Sequence, residues 1–152
     1  MKYLRFSIMP FLLLLSIVCL LAGPIYTIIY FIFLNSIFIL GDLILPYDKS
    51  TPNYKYPWIL NFLLFINLPL VVALYFVLGW YCSSIDIFSF GSWVQNNFSL
   101  NIIENRYNME FYHYIFAILS SGLALTASGI NVGHELVHRT NDSISKWVGN
   151  WL

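Results

Sequence analysis

The chain has 152 residues, 59% hydrophobic and 9% charged, with a formal net charge of +0 and a mean hydropathy of +0.74. Water-soluble globular domains carry about 25% charged residues, so this composition excludes an ordinary soluble fold and points to a bilayer. A net charge of zero implies no general attraction to nucleic acid or to anionic surfaces.

Three long stretches lack Asp, Glu, Lys and Arg: Phe6 to Gly41, Tyr56 to Ile85, and Phe111 to Gly133. A helical span needs about 20 apolar residues. The first stretch therefore supplies two short spans and each of the others supplies one. The expected fold is all-α, a polytopic transmembrane helical bundle with about four spans, near 6–22, 25–41, 58–82 and 113–133.

Met1 to Gly23 has the outline of a secretory signal, with Lys2 and Arg5 ahead of an apolar run. A large Leu20 stands where a cleavage site wants a small residue, and a second apolar run follows at once. The segment is read as an uncleaved first span. Gly23-Pro24 breaks the run and predicts a tight hairpin, because proline lacks the donor that would continue a helix and suits a first turn. Asp42 lies near the end of the second span, and the proline-rich, polar segment Pro46 to Pro57 predicts a loop. In the third span Pro69 predicts a kink, and Trp58, Trp80 and Tyr81 fall where interfacial aromatic residues collect. Cys19 and Cys82 lie inside spans without CxxC spacing, which suits buried apolar fillers.

Ser83 to Tyr112 carries Asp86, Glu104, Arg106 and Glu110 among aromatic residues and asparagines. It is too polar to span and too aromatic for a free linker, so it is expected on the membrane surface with a short amphipathic element. Asn97-Phe98-Ser99 matches a glycosylation acceptor. His113, alone at a membrane boundary, reads as a hydrogen-bonded surface group. The fourth span then runs into Asn131-Val132-Gly133-His134-Glu135-Leu136-Val137-His138-Arg139. Asn141-Asp142-Ser143 interrupts, and Ser145 to Leu152 begins another amphipathic turn. No internal repeat is present. With the N-terminus inside, Lys2, Arg5, Lys49, Lys55, Arg139 and Lys146 are cytoplasmic and Arg106 alone is outside. That asymmetry places both ends, and the histidine motif, on the cytoplasmic side.

Two of the three histidines fall within this motif. At i and i+4, His134 and His138 share one helical face and can reach one metal ion or two adjacent ones. Glu135 is close enough to take a proton or to orient a ligand. Ionisable residues at a membrane boundary are costly and mark functional sites. HExxH alone suggests a zinc peptidase, with the glutamate as general base.

The wider stretch Asn131 to Thr140, followed by Ser145-Lys146-Trp147-Val148-Gly149, resembles the first histidine box of membrane non-haem di-iron alkane 1-monooxygenases, within the fatty acid desaturase and hydroxylase superfamily. Asp42-Leu43-Ile44-Leu45-Pro46-Tyr47-Asp48 resembles, more loosely, an acidic loop of that family. Arg139 stands where a lysine is commoner. The resemblance implies a di-iron centre with His134 and His138 as iron ligands and Glu135 beside them rather than on the metal. It implies O2 activation, with one oxygen atom inserted at an unactivated C–H bond of an alkane or fatty-acyl chain. It also implies a rubredoxin-like or ferredoxin-like electron donor and a bacterial inner-membrane setting. The glutamate after the first histidine favours hydroxylation over desaturation. The family's later boxes, of the kinds E-H-x-x-x-H-H and R-H-x-x-H-H, are absent from this chain. Residues 1–152 are therefore expected to be the N-terminal membrane portion of a longer oxygenase, inactive alone. The alternatives are a desaturase of the same superfamily, a membrane zinc metalloprotease, and a membrane scaffold or transporter fragment in which the histidines only pair.

Overall fold

The computed structural model describes residues 3–44, 55–139 and 142–152, and among them every regular element is helical. The elements are α1 (Leu4–Ala22), α2 (Pro24–Ile44), α3 (Pro57–Phe65), α4 (Asn67–Cys82), α5 (Phe90–Phe98), α6 (Ile102–Tyr107), α7 (Phe111–Ser128), α8 (His134–Val137) and α9 (Ser143–Trp151). A 3-10 turn (Ile87–Ser89) precedes α5, and a π-helical turn (Gly129–Gly133) joins α7 to α8. Among the described residues three segments are long and apolar enough to cross a membrane: Pro24–Ile44, Pro57–Cys82 and Phe111–Val137. The apolar part of α1, Phe6–Ala22, is shorter. Most of the expected 46–57 loop, and the end of the acidic stretch begun by Asp42, lie outside the described residues.

The hairpin at Gly23-Pro24 is present. Gly23 has φ +130°, a left-handed conformation that glycine adopts without steric cost. Asn105 closes the end of α1 by donating to the Leu21 carbonyl at 3.1 Å. Pro24 opens α2, where its missing N–H leaves no bond unmade.

Helices α1, α2, α4 and α7 pack on one another around Leu12, Leu13, Leu20, Tyr30, Leu34, Leu74 and Val77. The α7 face turned to this core is Ala117, Ser120, Ser121, Ala124 and Ser128, all buried. Small side chains at that spacing let helix backbones approach closely, which is how helices associate where lipid removes the hydrophobic drive. The outward faces are apolar as well, with Ile29, Ile32, Val72 and Ile118 more than half exposed. An apolar exterior, with small and hydroxyl side chains on the inward face of α7, suits lipid as the surrounding solvent.

The kink expected at Pro69 falls at Ile66, between α3 and α4. A proline cannot donate to the carbonyl four residues back, and its ring clashes with it, so the disturbance lies one turn ahead, at Phe65. Asn67, fully buried, repairs the break by donating to the Leu63 and Leu64 carbonyls at 2.8 and 3.1 Å. Its own oxygen accepts from Ser128 Oγ at 3.3 Å, tying this break to the last residue of α7. Asn67→Leu should cost about 0.5–2 kcal/mol, the range for polar contacts between membrane helices, read as a lowered unfolding midpoint in detergent. A wild-type midpoint would show that the node carries no stability.

The segment between α4 and α7 contains the expected amphipathic element, α5. Asp86 holds its start: Oδ1 accepts from Gly91 N at 2.7 Å and Trp80 Nε1 at 2.9 Å, and Oδ2 accepts from Ser92 N and Oγ. Desolvation pushes the Asp86 carboxyl up, but these hydrogen bonds outweigh it and bring its pKa down to about 2, from an ordinary 3.8. The lowered value means that the charged form favours the folded state. That contribution is complete above the ordinary carboxylate value and disappears as the pH falls from about 4 to about 2. Acid titration of Trp80 fluorescence should therefore show a step in that window, and Asp86→Asn should lack it. A step unchanged in Asp86→Asn would assign it elsewhere. Arg106 is buried, lies 4.3 Å over the Trp80 ring and donates to the Ile85 carbonyl at 2.9 Å.

His113 is not a surface group. It is buried, and its Nδ1 accepts from the Glu110 backbone N–H at 3.1 Å while the Glu110 side chain accepts from the His113 backbone. This reciprocal capping box starts α7. Of the two cysteines expected to be buried, Cys19 is partly covered and Cys82 is exposed at the end of α4.

Candidate metal centre

The histidine motif does not continue α7 as a regular helix. Between Ser128 and His134 the backbone widens into the π-helical turn, which accommodates one extra residue and so rotates α8 by about 100° relative to a regular continuation of α7. Turns of this kind are frequent at functional sites. Asn131 supports it by donating to the Ala127 carbonyl at 2.9 Å.

Beyond this turn His134 and His138 are both exposed. Their rings lie 4.3 Å apart between centroids, at 82° to each other. Leu136, between them in sequence, is fully buried on the opposite face and packs with Leu64, Val132 and Val148. The alternation that turns Leu136 inward turns the two imidazoles outward together.

Glu135 points elsewhere. Its carboxylate lies 3.4 Å from Arg139 Nη2, an exposed i,i+4 pair that contributes less than about 1 kcal/mol. It lines a groove of about 290 Å³ with Phe6, Met9, Leu64, Asn131 and Val132. Arg139 is anchored more firmly through Nη1, which donates to Asn61 Oδ1 on α3. The Arg139–Glu135 spacing is visible in the sequence, whereas the bond to Asn61, 78 positions away, has no local signal.

Helix α9 folds back against the motif. Asp142 begins it by accepting from the Ile144 and Ser145 backbone N–H groups at 3.1 and 3.2 Å and from Ser145 Oγ at 2.6 Å, bonds that lower its pKa. Gly149 then meets Gly133 backbone to backbone. A Cβ added at Gly149 would lie 2.9 Å from the Gly133 carbonyl oxygen. An open groove of about 460 Å³ runs beside His134, lined by Gly129, Ile130, Gly133, Val137 and Gly149.

Both imidazoles are open to solvent and on one face, with ring centroids 4.3 Å apart, and imidazole nitrogen is a common metal donor. Among the described residues no group of three or more His, Cys, Asp or Glu is placed to hold an ion. His113 stands at the far end of α7, 21 positions from His134, or about 30 Å at 1.5 Å per helical residue. No family model, curated protein or solved structure matches the chain.

Proposed function

We propose that this chain is the N-terminal membrane portion of a non-haem di-iron monooxygenase that hydroxylates alkane or fatty-acyl chains. In this reading α1 crosses beside the three longer segments to make four spans, and the histidine motif lies at the cytoplasmic face of a bacterial inner membrane. The observation that carries the reading is the His134–His138 pair, exposed on one face where an apolar helix of membrane-spanning length ends. The remaining iron ligands belong to sequence outside residues 1–152.

The bound irons would supply O2 activation, with one oxygen atom going into a C–H bond and the other leaving as water, using two electrons from a rubredoxin-like or ferredoxin-like donor and two protons from solvent. The chain's own residues bind and position. His134 and His138 offer imidazole nitrogens. Arg139, bonded to Asn61, fixes the end of the helix that carries them. Asn67, bonded to Ser128, fixes the start of the π-helical turn before them. Ile130 and Val137 line the groove beside His134, a surface suited to hydrocarbon, which is selected by length and shape with little polar recognition.

The second reading is a membrane zinc metalloprotease with Glu135 as general base. The Arg139 partner and the separate groove of Glu135 favour the first reading over it. Glu135→Gln in the whole protein separates the two. An oxygenase with Glu135 off the metal keeps part of its activity and its metal, whereas a protease loses its base and nearly all turnover. Complete loss of turnover with zinc retained would overturn the oxygenase reading.

A further inference from the structure

A second apolar space lies toward the other end of the bundle. It is a half-open groove of about 550 Å³ between the C-terminal half of α1, the middle of α4 and one face of α5. Its walls include Val18, Ala73, Phe76, Val77, Trp93 and Phe98, and none of its lining side chains is ionisable or carries a hydroxyl. The volume falls within the range of ligand sites, roughly 300–1,000 Å³.

The α5 wall is held in place. Asp86 fixes its start through Gly91 and Ser92. Gly91 lies so close to Trp80 and Ile103 that a Cβ there would stand 2.6 and 2.7 Å from them. Ser89 and Ser99, one at each end of α5, have φ of 54° and 56°, so the chain turns sharply into and out of the helix. Phe90 packs edge-on against Phe76 of α4 at 5.1 Å, and Trp93 packs against Phe98 at 5.5 Å.

The open side of this space meets the outward surface of α1. There Ile8, Phe11, Leu14 and Val18 are all exposed at helical spacing, and Leu14 and Val18 also line the cavity. One apolar stripe therefore runs along α1 and continues under α5. In a bilayer such a space fills with hydrocarbon, because an apolar cavity offers water no hydrogen-bond partners and an empty one forfeits dispersion contacts along its walls.

We propose that this space is a binding site for one acyl chain of a bilayer phospholipid, lying along α1 with its middle passing Trp93 of α5. The site is independent of the histidine pair and of the oxygenase reading. With no ionisable or hydroxyl side chain in the walls, it recognises the chain and not the head group.

The test uses the whole protein in detergent, with Trp93 emission taken as the difference between the protein and its Trp93→Phe variant. Phosphatidylcholine carrying a 9,10-dibromostearoyl chain is titrated in mixed micelles at constant detergent. Trp93 emission should be quenched along a saturating single-site curve and restored by unbrominated phosphatidylcholine. Ala73→Phe, which fills the cavity, should weaken the apparent affinity about tenfold or more, equivalent to at least about 1.4 kcal/mol. If Ala73→Phe fails to fold, Ala22→Phe fills the space from the α1 wall and carries the same expectation. Quenching that rises linearly without saturating, or a saturating curve unchanged in the filled variant, would overturn the site.

Discussion

His138→Ala in the whole protein is expected to abolish iron loading and oxygenation while leaving membrane insertion intact. His138 is exposed and is the last residue of the helical turn closed by its backbone N–H to the His134 carbonyl at 3.2 Å. That backbone bond survives the substitution, and alanine is a good helix former. Nothing in the packing therefore unfolds the helix end, and the loss falls on ligation. Removing even an outer partner of a metal ligand costs about 10–100-fold in affinity or activity, so removal of a ligand should exceed that. Iron per protein, measured after purification from membranes, is the first readout, and hydroxylation of a medium-chain alkane is the second. His134→Ala should behave alike, since the two rings are 4.3 Å apart and offer adjacent donors. A His138→Ala protein that keeps its iron and its rate would take His138 out of the site.

Gly149→Val should produce the largest structural effect. Its Cβ would stand 2.9 Å from the Gly133 carbonyl oxygen, from Leu136 Cβ and from Val137 Cγ2. A backbone oxygen cannot swing aside as the tip of a side chain can, so α9 must move away from α8. Overpacking of this kind costs about 1–3 kcal/mol. The same movement would open the groove beside His134, where Gly129, Gly133 and Gly149 form one side. Gly122, on α7, is the control, because a Cβ there meets nothing within 4 Å. Gly122→Ala should be stabilising by about 0.5–1 kcal/mol through restricted backbone freedom. Chemical unfolding in detergent, followed by far-ultraviolet circular dichroism, checks both. Equal midpoints for the two variants would mean that the α8–α9 contact carries no stability.

Much of the architecture is legible in the residues. The charge-free stretches mark the three segments long and apolar enough to cross a membrane, because the bilayer demands length and apolarity more than detailed pattern. Gly23-Pro24 announces the hairpin through backbone chemistry alone. The i,i+4 spacing of His134 and His138 gives their shared face, and the apolar Leu136 between them gives the side that is buried.

Other features depend on partners distant in sequence. Nothing near Asn67 says that it will meet Ser128, and nothing near Arg139 says that it will meet Asn61. The π-helical turn at Gly129–Gly133 has no hydrophobic period of its own, so an even helix into the motif is the natural reading. His113 is legible in principle: Glu110 three residues before it, at the start of an apolar run, is a capping box with the usual residue types exchanged. Cys82, at the last turn of α4, is exposed because that helix ends where the polar segment begins.

The most direct measurement is the metal content of the whole protein purified from membranes, by elemental analysis together with the iron Mössbauer spectrum. Two irons per chain with the signature of a coupled pair, lost in His138→Ala, is the predicted result. One zinc per chain, or no metal bound by a protein whose histidine pair is intact, would contradict the di-iron account.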